Sequence, residues 1–121
     1  DENFVSKLER LMNMDELYKN PNLKLSDLAL KMNISTHQLS QLLNDNLGKS
    51  FSTYINEYRI NEACEKIENG SYLKIEEIGY EVGFNSKSTF FSTFKKIMST
   101  TPLLYKQSQT TSDTRFQSSN L

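Results

Sequence analysis

The stretch that decides the fold is Ile78-Gly79-Tyr80-Glu81-Val82-Gly83-Phe84-Asn85-Ser86-Lys87-Ser88-Thr89-Phe90. With Ile75 ahead of it, Ile78, Gly79 and Val82 follow the i, i+3, i+4, i+7 spacing of one helix face. Gly83 breaks that helix, and Phe84 offers an apolar side chain to the inside of a tight corner. From Ser86 a longer helix is predicted to Met98, with Phe90, Phe94 and Ile97 inward. Gly79 has a physical role here, because a residue without a side chain lets the second helix cross close to the first. Short helix, tight turn and longer helix make a helix-turn-helix unit. The second helix then keeps one stripe outward: Lys87, Ser88, Phe91, Ser92 and Lys95.

The same pattern stands earlier in the chain. At a shift of 50 residues, Leu25, Leu28, Ala29 and Met32 match Ile75, Ile78, Gly79 and Val82. One residue is then inserted. At a shift of 51, Leu39, Leu43, Ser50 and Tyr54 match Phe90, Phe94, Thr101 and Tyr105. The first unit turns at Asn33-Ile34-Ser35. Ser35 with Gln38 forms a capping-box pattern that opens its second helix. The apolar face there is Leu39, Leu42, Leu43 and Leu47, and Gly48 stops the helix. The outward stripe is His37, Ser40, Gln41 and Asn44. Two copies are too few for a solenoid. They fit a duplicated helix-turn-helix whose outer stripes carry donors and acceptors able to read base edges.

Outside the repeat, Phe4, Val5, Leu8, Leu11, Met12 and Tyr18 recur at helical spacing and predict a helix over residues 3–19, ended by Asn20-Pro21-Asn22. Ser50 caps a long helix from Phe51 to about Asn69, with Phe51, Tyr54, Ile55, Tyr58, Ala63 and Ile67 on its apolar side. Thr101 before Pro102 opens a last short helix through Tyr105. No segment alternates with period two. The predicted fold class is all-α, with about seven helices. A first unit spans 24–49, a connector helix 51–69 and a second unit 74–107, inside a domain of residues 1–107. The Ser/Thr/Gln-rich tail 108–121 reads as disordered.

The chain has 121 residues, an apolar share of 36% and a net charge of -1, which fits one small helical body with a polar surface. That charge alone speaks against a nucleic-acid partner. Its distribution does not. From Ser86 onward, five basic residues (Lys87, Lys95, Lys96, Lys106, Arg115) face one acidic residue (Asp113), so this stretch is +4 and the rest -5. Glu57, Glu62, Glu65, Glu68, Glu76, Glu77 and Glu81 hold much of the acid. This distribution is either ordinary solvated charge or a basic docking face with an acidic back. No apolar run reaches a membrane span. The single cysteine, Cys64, excludes an internal disulfide, and no Cys/His cluster suggests zinc. A reducing cytoplasm is the expected setting. A start at Asp1 suggests a piece of a longer protein.

The decisive stretch, with Phe94-Lys95-Lys96, Thr101-Pro102 and Tyr105-Lys106, resembles the signature of AraC-type transcription regulators. The first half agrees through Leu28-Ala29, Ser35, Leu39-Ser40, Gly48, Tyr54-Ile55, Arg59 and Ala63. The resemblance covers Leu25 to Lys106. Leu39-Ser40-Gln41 and Phe84-Asn85-Ser86-Lys87-Ser88 look most like regulators of Bacteroidetes-type bacteria, in which the domain often ends a longer sensor chain. The resemblance implies two recognition helices, Ser35 to Leu47 and Ser86 to Met98, entering successive major grooves of double-stranded DNA. It implies base-facing roles for His37, Ser40 and Gln41 in one reader and Lys87, Ser88, Phe91 and Ser92 in the other, with Lys95 toward phosphate. A connector of about 19 residues is roughly 28 Å long, near the ~34 Å turn of DNA. The sequence departs from the family where Gln41 and Ser92 stand for a common arginine, Leu43-Asn44 for Phe-Lys, and Ser99 for glycine.

Each singled-out residue also has a plainer reading. His37 is a solvent-facing helix residue rather than a metal ligand or catalytic base. Cys64 is a small buried filler. Arg59 pairs with a carboxylate or touches phosphate. Phe91 is a satellite of the core or a DNA-facing ring. The Glu-rich stretch is a solvated face, or a contact for RNA polymerase or a sensor domain. A sequence-specific DNA-binding regulator is the leading expectation, and a helical protein-protein module without DNA affinity is the rival. No catalytic triad, paired carboxylates, phosphate loop or metal motif points to an enzyme, and no cofactor is expected.

Overall fold

A computed structural model describes residues 3–109. Among these residues there are seven α-helices, one 3-10 turn and no strand. The helices are α1 (Phe4–Asn13), α2 (Leu25–Met32), α3 (Thr36–Leu47), α4 (Phe51–Glu68), α5 (Ile75–Glu81), α6 (Lys87–Met98) and α7, residues 102–109. The chain divides into two compact units, with the boundary between Arg59 and Ile60, inside α4.

In the first unit Leu8, Met12, Leu28, Leu39 and Leu43 are fully buried. Tyr54 and Ile55 from the start of α4 complete this core. Each such burial is worth about 1.5–3 kcal/mol, so the unit rests mainly on these few side chains. Tyr58 stacks on Tyr18 at 5.6 Å and meets Tyr54 edge-on at 5.3 Å.

The expected helix over 3–19 is shorter in the structure. It stops at Asn13, Glu16 adopts a left-handed conformation (φ 51°), and Leu17–Lys19 form a 3-10 turn. The turn is held from far along the chain. Arg59 Nε donates to the Tyr18 carbonyl at 2.7 Å and Nη2 to the Asn20 carbonyl at 3.0 Å, while Nη1 reaches Asn56 Oδ1 at 3.2 Å. These carbonyls stand at the chain's exit from the 3-10 turn, where no ladder bond would satisfy them. Burial lowers the Arg59 pKa from its ordinary value, and the charge-assisted bonds to carbonyls answer that desolvation. Arg59 therefore staples the loop after α1.

In the second unit Ile60, Val82, Phe90 and Phe94 are fully buried and Phe84 nearly so. Phe90 is the centre, with Phe84 at 5.3 Å and Phe94 at 5.9 Å, and Tyr105 follows at 5.8 Å from Phe94. Gly79 lies against this ring: a Cβ there would come within 2.4 Å of Phe90 Cδ2. Tyr105 donates its hydroxyl to the Glu68 carboxylate, which raises the tyrosine pKa, with burial adding to it. Cys64 is a buried packing residue, and burial pushes its thiol pKa up, away from the reactive thiolate.

The internal repeat extends to the hydrogen bonds. Asp27 accepts from the Lys24 N–H at 2.9 Å, and Glu77 from the Lys74 N–H at 2.8 Å. The Ile34 N–H reaches the Ala29 carbonyl at 3.1 Å, as Phe84 reaches Gly79 at 3.0 Å. Ser35 and Ser86 each accept from a backbone N–H three residues on, at 3.1 Å. Ser50 and Thr101 do the same at 3.1 and 3.2 Å.

One repeated position differs. Gly48 and Ser99 cap α3 and α6 in the left-handed region, at φ 64° and 60°. That region costs a side-chain-bearing residue about 1–2 kcal/mol, partly offset by the ~0.5–1 kcal/mol of extra freedom glycine loses on folding. Ser99→Gly is thus expected to stabilise the chain by up to about 1 kcal/mol. A urea unfolding midpoint that stays or falls would contradict this.

Residues 108 and 109, expected in the tail, continue α7; the remainder of that tail lies outside the described residues.

Candidate nucleic-acid interface

In α3, Leu39 and Leu43 anchor the inward side, and Ser35 with Gln38 makes the reciprocal cap predicted from sequence, at 3.1 and 3.0 Å. The helix is thereby fixed in rotation. His37, Ser40, Gln41 and Asn44 are all exposed. Their i, i+3, i+4, i+7 spacing places them in one stripe opposite the buried leucines.

In α6, Phe90 and Phe94 play the anchoring part and Ser86 caps the helix. Lys87, Ser88, Phe91, Ser92 and Lys95 are exposed. Ser92 donates its hydroxyl to the Thr89 carbonyl at 3.2 Å, leaving its oxygen able to accept. Phe91 is both packed and partly exposed. Its ring lies 5.7 Å from Phe90, yet 36% of the residue stays exposed.

Two features escaped sequence reasoning. Glu76, on the first turn of α5, pairs with Lys87 at 3.5 Å. The Lys87 ammonium also stands 5.5 Å from the Phe91 ring centroid. The candidate basic face thus has a carboxylate set into it. A helix-turn-helix crossing makes such a pair; the crossing is legible at Gly79, but which charges face one another across it is not. Arg59, weighed as a phosphate contact or a carboxylate partner, holds the Tyr18 and Asn20 carbonyls.

Chemically, each stripe offers hydroxyl, amide or ammonium groups on a rigid support, and the second adds an apolar ring. Those are the groups that match major-groove base edges: amides for adenine, ammonium for guanine, an apolar face for the thymine methyl. Among the described residues no His/Cys/Asp/Glu group is arranged to hold a metal ion, and no helix is long and apolar enough to cross a membrane.

A family profile described as "Helix-turn-helix domain" matches residues 28–108. The chain is 29% identical over 101 residues to the HTH-type transcriptional regulator YdeC of Bacillus subtilis, a match covering 84% of this chain and 34% of YdeC. It is 29% identical over 99 residues to the probable transcription factor PqrA of Proteus vulgaris, covering 82% of this chain and 80% of PqrA. The chain thus spans about a third of the first relative and most of the second. Among solved structures, a transcriptional regulator of Chromobacterium violaceum with an AraC-type DNA-binding domain superposes with a TM-score of 0.71 at 26% identity, over 87% of this chain and 96% of that one. With a profile matching most of its length and relatives that are bacterial transcriptional regulators, the chain belongs to the AraC-type helix-turn-helix family.

Proposed function

We propose that this chain is the sequence-specific DNA-binding domain of a bacterial transcription regulator, with α3 and α6 read into successive major grooves of duplex DNA. The observation that carries this is the repeated one: in each copy, an outward polar stripe on a capped helix anchored by two buried side chains. His37, Ser40, Gln41 and Asn44 contact bases in one half-site, and Lys87, Ser88, Phe91 and Ser92 in the other. Lys95, in the last turn of α6, meets phosphate. The likeness to transcriptional regulators favours this over a protein-protein module without DNA affinity.

The DNA-binding body takes in α7 to its described end at residue 109, and the work is done in the cytoplasm, without catalysis or cofactor. A sensor or dimerisation region in the same protein supplies the signal, and the Glu-rich side of α4 and α5 is available to RNA polymerase.

Lys95 gives the test. A lysine on phosphate contributes to all sequences alike. Lys95→Ala should weaken specific and non-specific duplexes about equally and reduce the slope of log K against log salt by roughly one unit. Fluorescence anisotropy over a salt series measures both. An unchanged slope would remove Lys95 from the interface.

A further inference from the structure

We infer that Glu76 is a positioning residue for the second reader: its carboxylate holds the Lys87 ammonium against the face of Phe91, so that the two side chains read as one. This rests on the DNA-binding reading above.

Lys87 has a long flexible stem, and an ammonium left loose would pair with any phosphate that came near. Two neighbours restrain it. Glu76 Oε2 lies 3.5 Å from Nζ, and the Phe91 ring centroid lies 5.5 Å from it. Lys87 and Phe91 are one helical turn apart on α6, the spacing at which side chains meet. Glu76 has no capping duty, since Glu77 takes the Lys74 N–H at the start of α5.

The ammonium has three donors. One given to Glu76 leaves the others for guanine O6 and N7, while the ring beside it suits a thymine methyl. The 5.5 Å between ammonium and ring centre lies between the ~3.4 Å rise of one base step and twice that. The composite therefore fits guanine with a thymine at a neighbouring position. Phosphate is disfavoured at the same place, because it must approach or displace an anion. Glu76 sharpens selectivity by lowering indiscriminate binding.

The experiment compares two duplexes of equal length, one obtained by selection and one scrambled, over a salt series. The proteins are the wild type, Glu76→Gln, Lys87→Met and the double variant, each checked by thermal melting. Glu76→Gln should bind the scrambled duplex more tightly, by up to about fivefold, the range an exposed pair can supply. Its salt slope there should steepen by up to about one unit, and the selected-to-scrambled ratio should fall. In the Lys87→Met background the same change should move neither slope nor ratio. Unchanged behaviour in Glu76→Gln would overturn the inference. So would an equal effect in the Lys87→Met background, which would be plain removal of a negative charge. If the wild type binds neither duplex at any salt, the DNA-binding reading itself fails and takes this one with it.

Discussion

Phe90→Ala is expected to destabilise the chain by about 3–5 kcal/mol, the range for emptying a buried phenylalanine site. Its ring is fully buried, touches Phe84 and Phe94, and fills the space that Gly79 leaves open between α5 and α6. The converse error should also be visible. Gly79→Ala gains about 1 kcal/mol of helix propensity, but its new methyl meets a buried ring at 2.4 Å, and overpacking of that kind costs about 1–3 kcal/mol or more. Phe91→Ala provides the contrast. Its ring is partly exposed and meets one aromatic neighbour, Phe90, so its loss should cost about 1 kcal/mol of stability, near the worth of one aromatic pair. It should instead lower affinity, mostly for sites carrying thymine at one position. Thermal melts of the three variants settle the order. If Phe91→Ala unfolds the chain as badly as Phe90→Ala, the outward stripe of α6 has been assigned to the wrong rotation.

Inserting five base pairs between the two half-sites is expected to weaken binding by about 100-fold or more, the usual gain from two linked modules. The connector expected from the sequence corresponds to α4, 18 residues and about 27 Å long at 1.5 Å per residue. Half a turn of DNA carries one half-site to the far face of the duplex. A full-turn insertion keeps the face but adds about 34 Å of separation, so it too should lose joint binding. Electrophoretic mobility shifts on the spaced duplexes measure this. Binding that tolerates the five-pair insertion would mean the two units engage DNA independently.

Much of the fold could be read from the sequence because its signals are local. Ser35, Ser50, Ser86 and Thr101 each cap a helix within three residues of themselves. The small residue Gly79 and the inward Phe84 were legible for the same reason. What was missed depends on distant partners. The segment after the first helix is held by Arg59, which draws on carbonyls 41 and 39 residues before it. Ile60, fully buried, was absent from the predicted apolar side of the connector. In α4, the stripe Phe51, Tyr54, Ile55 and Tyr58 serves the first core, and a new stripe, Ile60, Ala63, Cys64 and Ile67, serves the second. The pattern restarts two residues after Tyr58, so a single periodic reading loses a member. The outward stripes of α3 and α6 followed directly from helical period, and every residue named in them is exposed. The Glu76–Lys87 pair did not follow, because it forms across a helix crossing.

The central claim is that two capped helices of one small chain read duplex DNA. Selection of bound sequences from a random duplex pool, using this chain at low salt, tests it most directly. The account predicts an enriched bipartite motif, two short blocks with centres about 10–10.5 base pairs apart. A final pool indistinguishable from the input would contradict it.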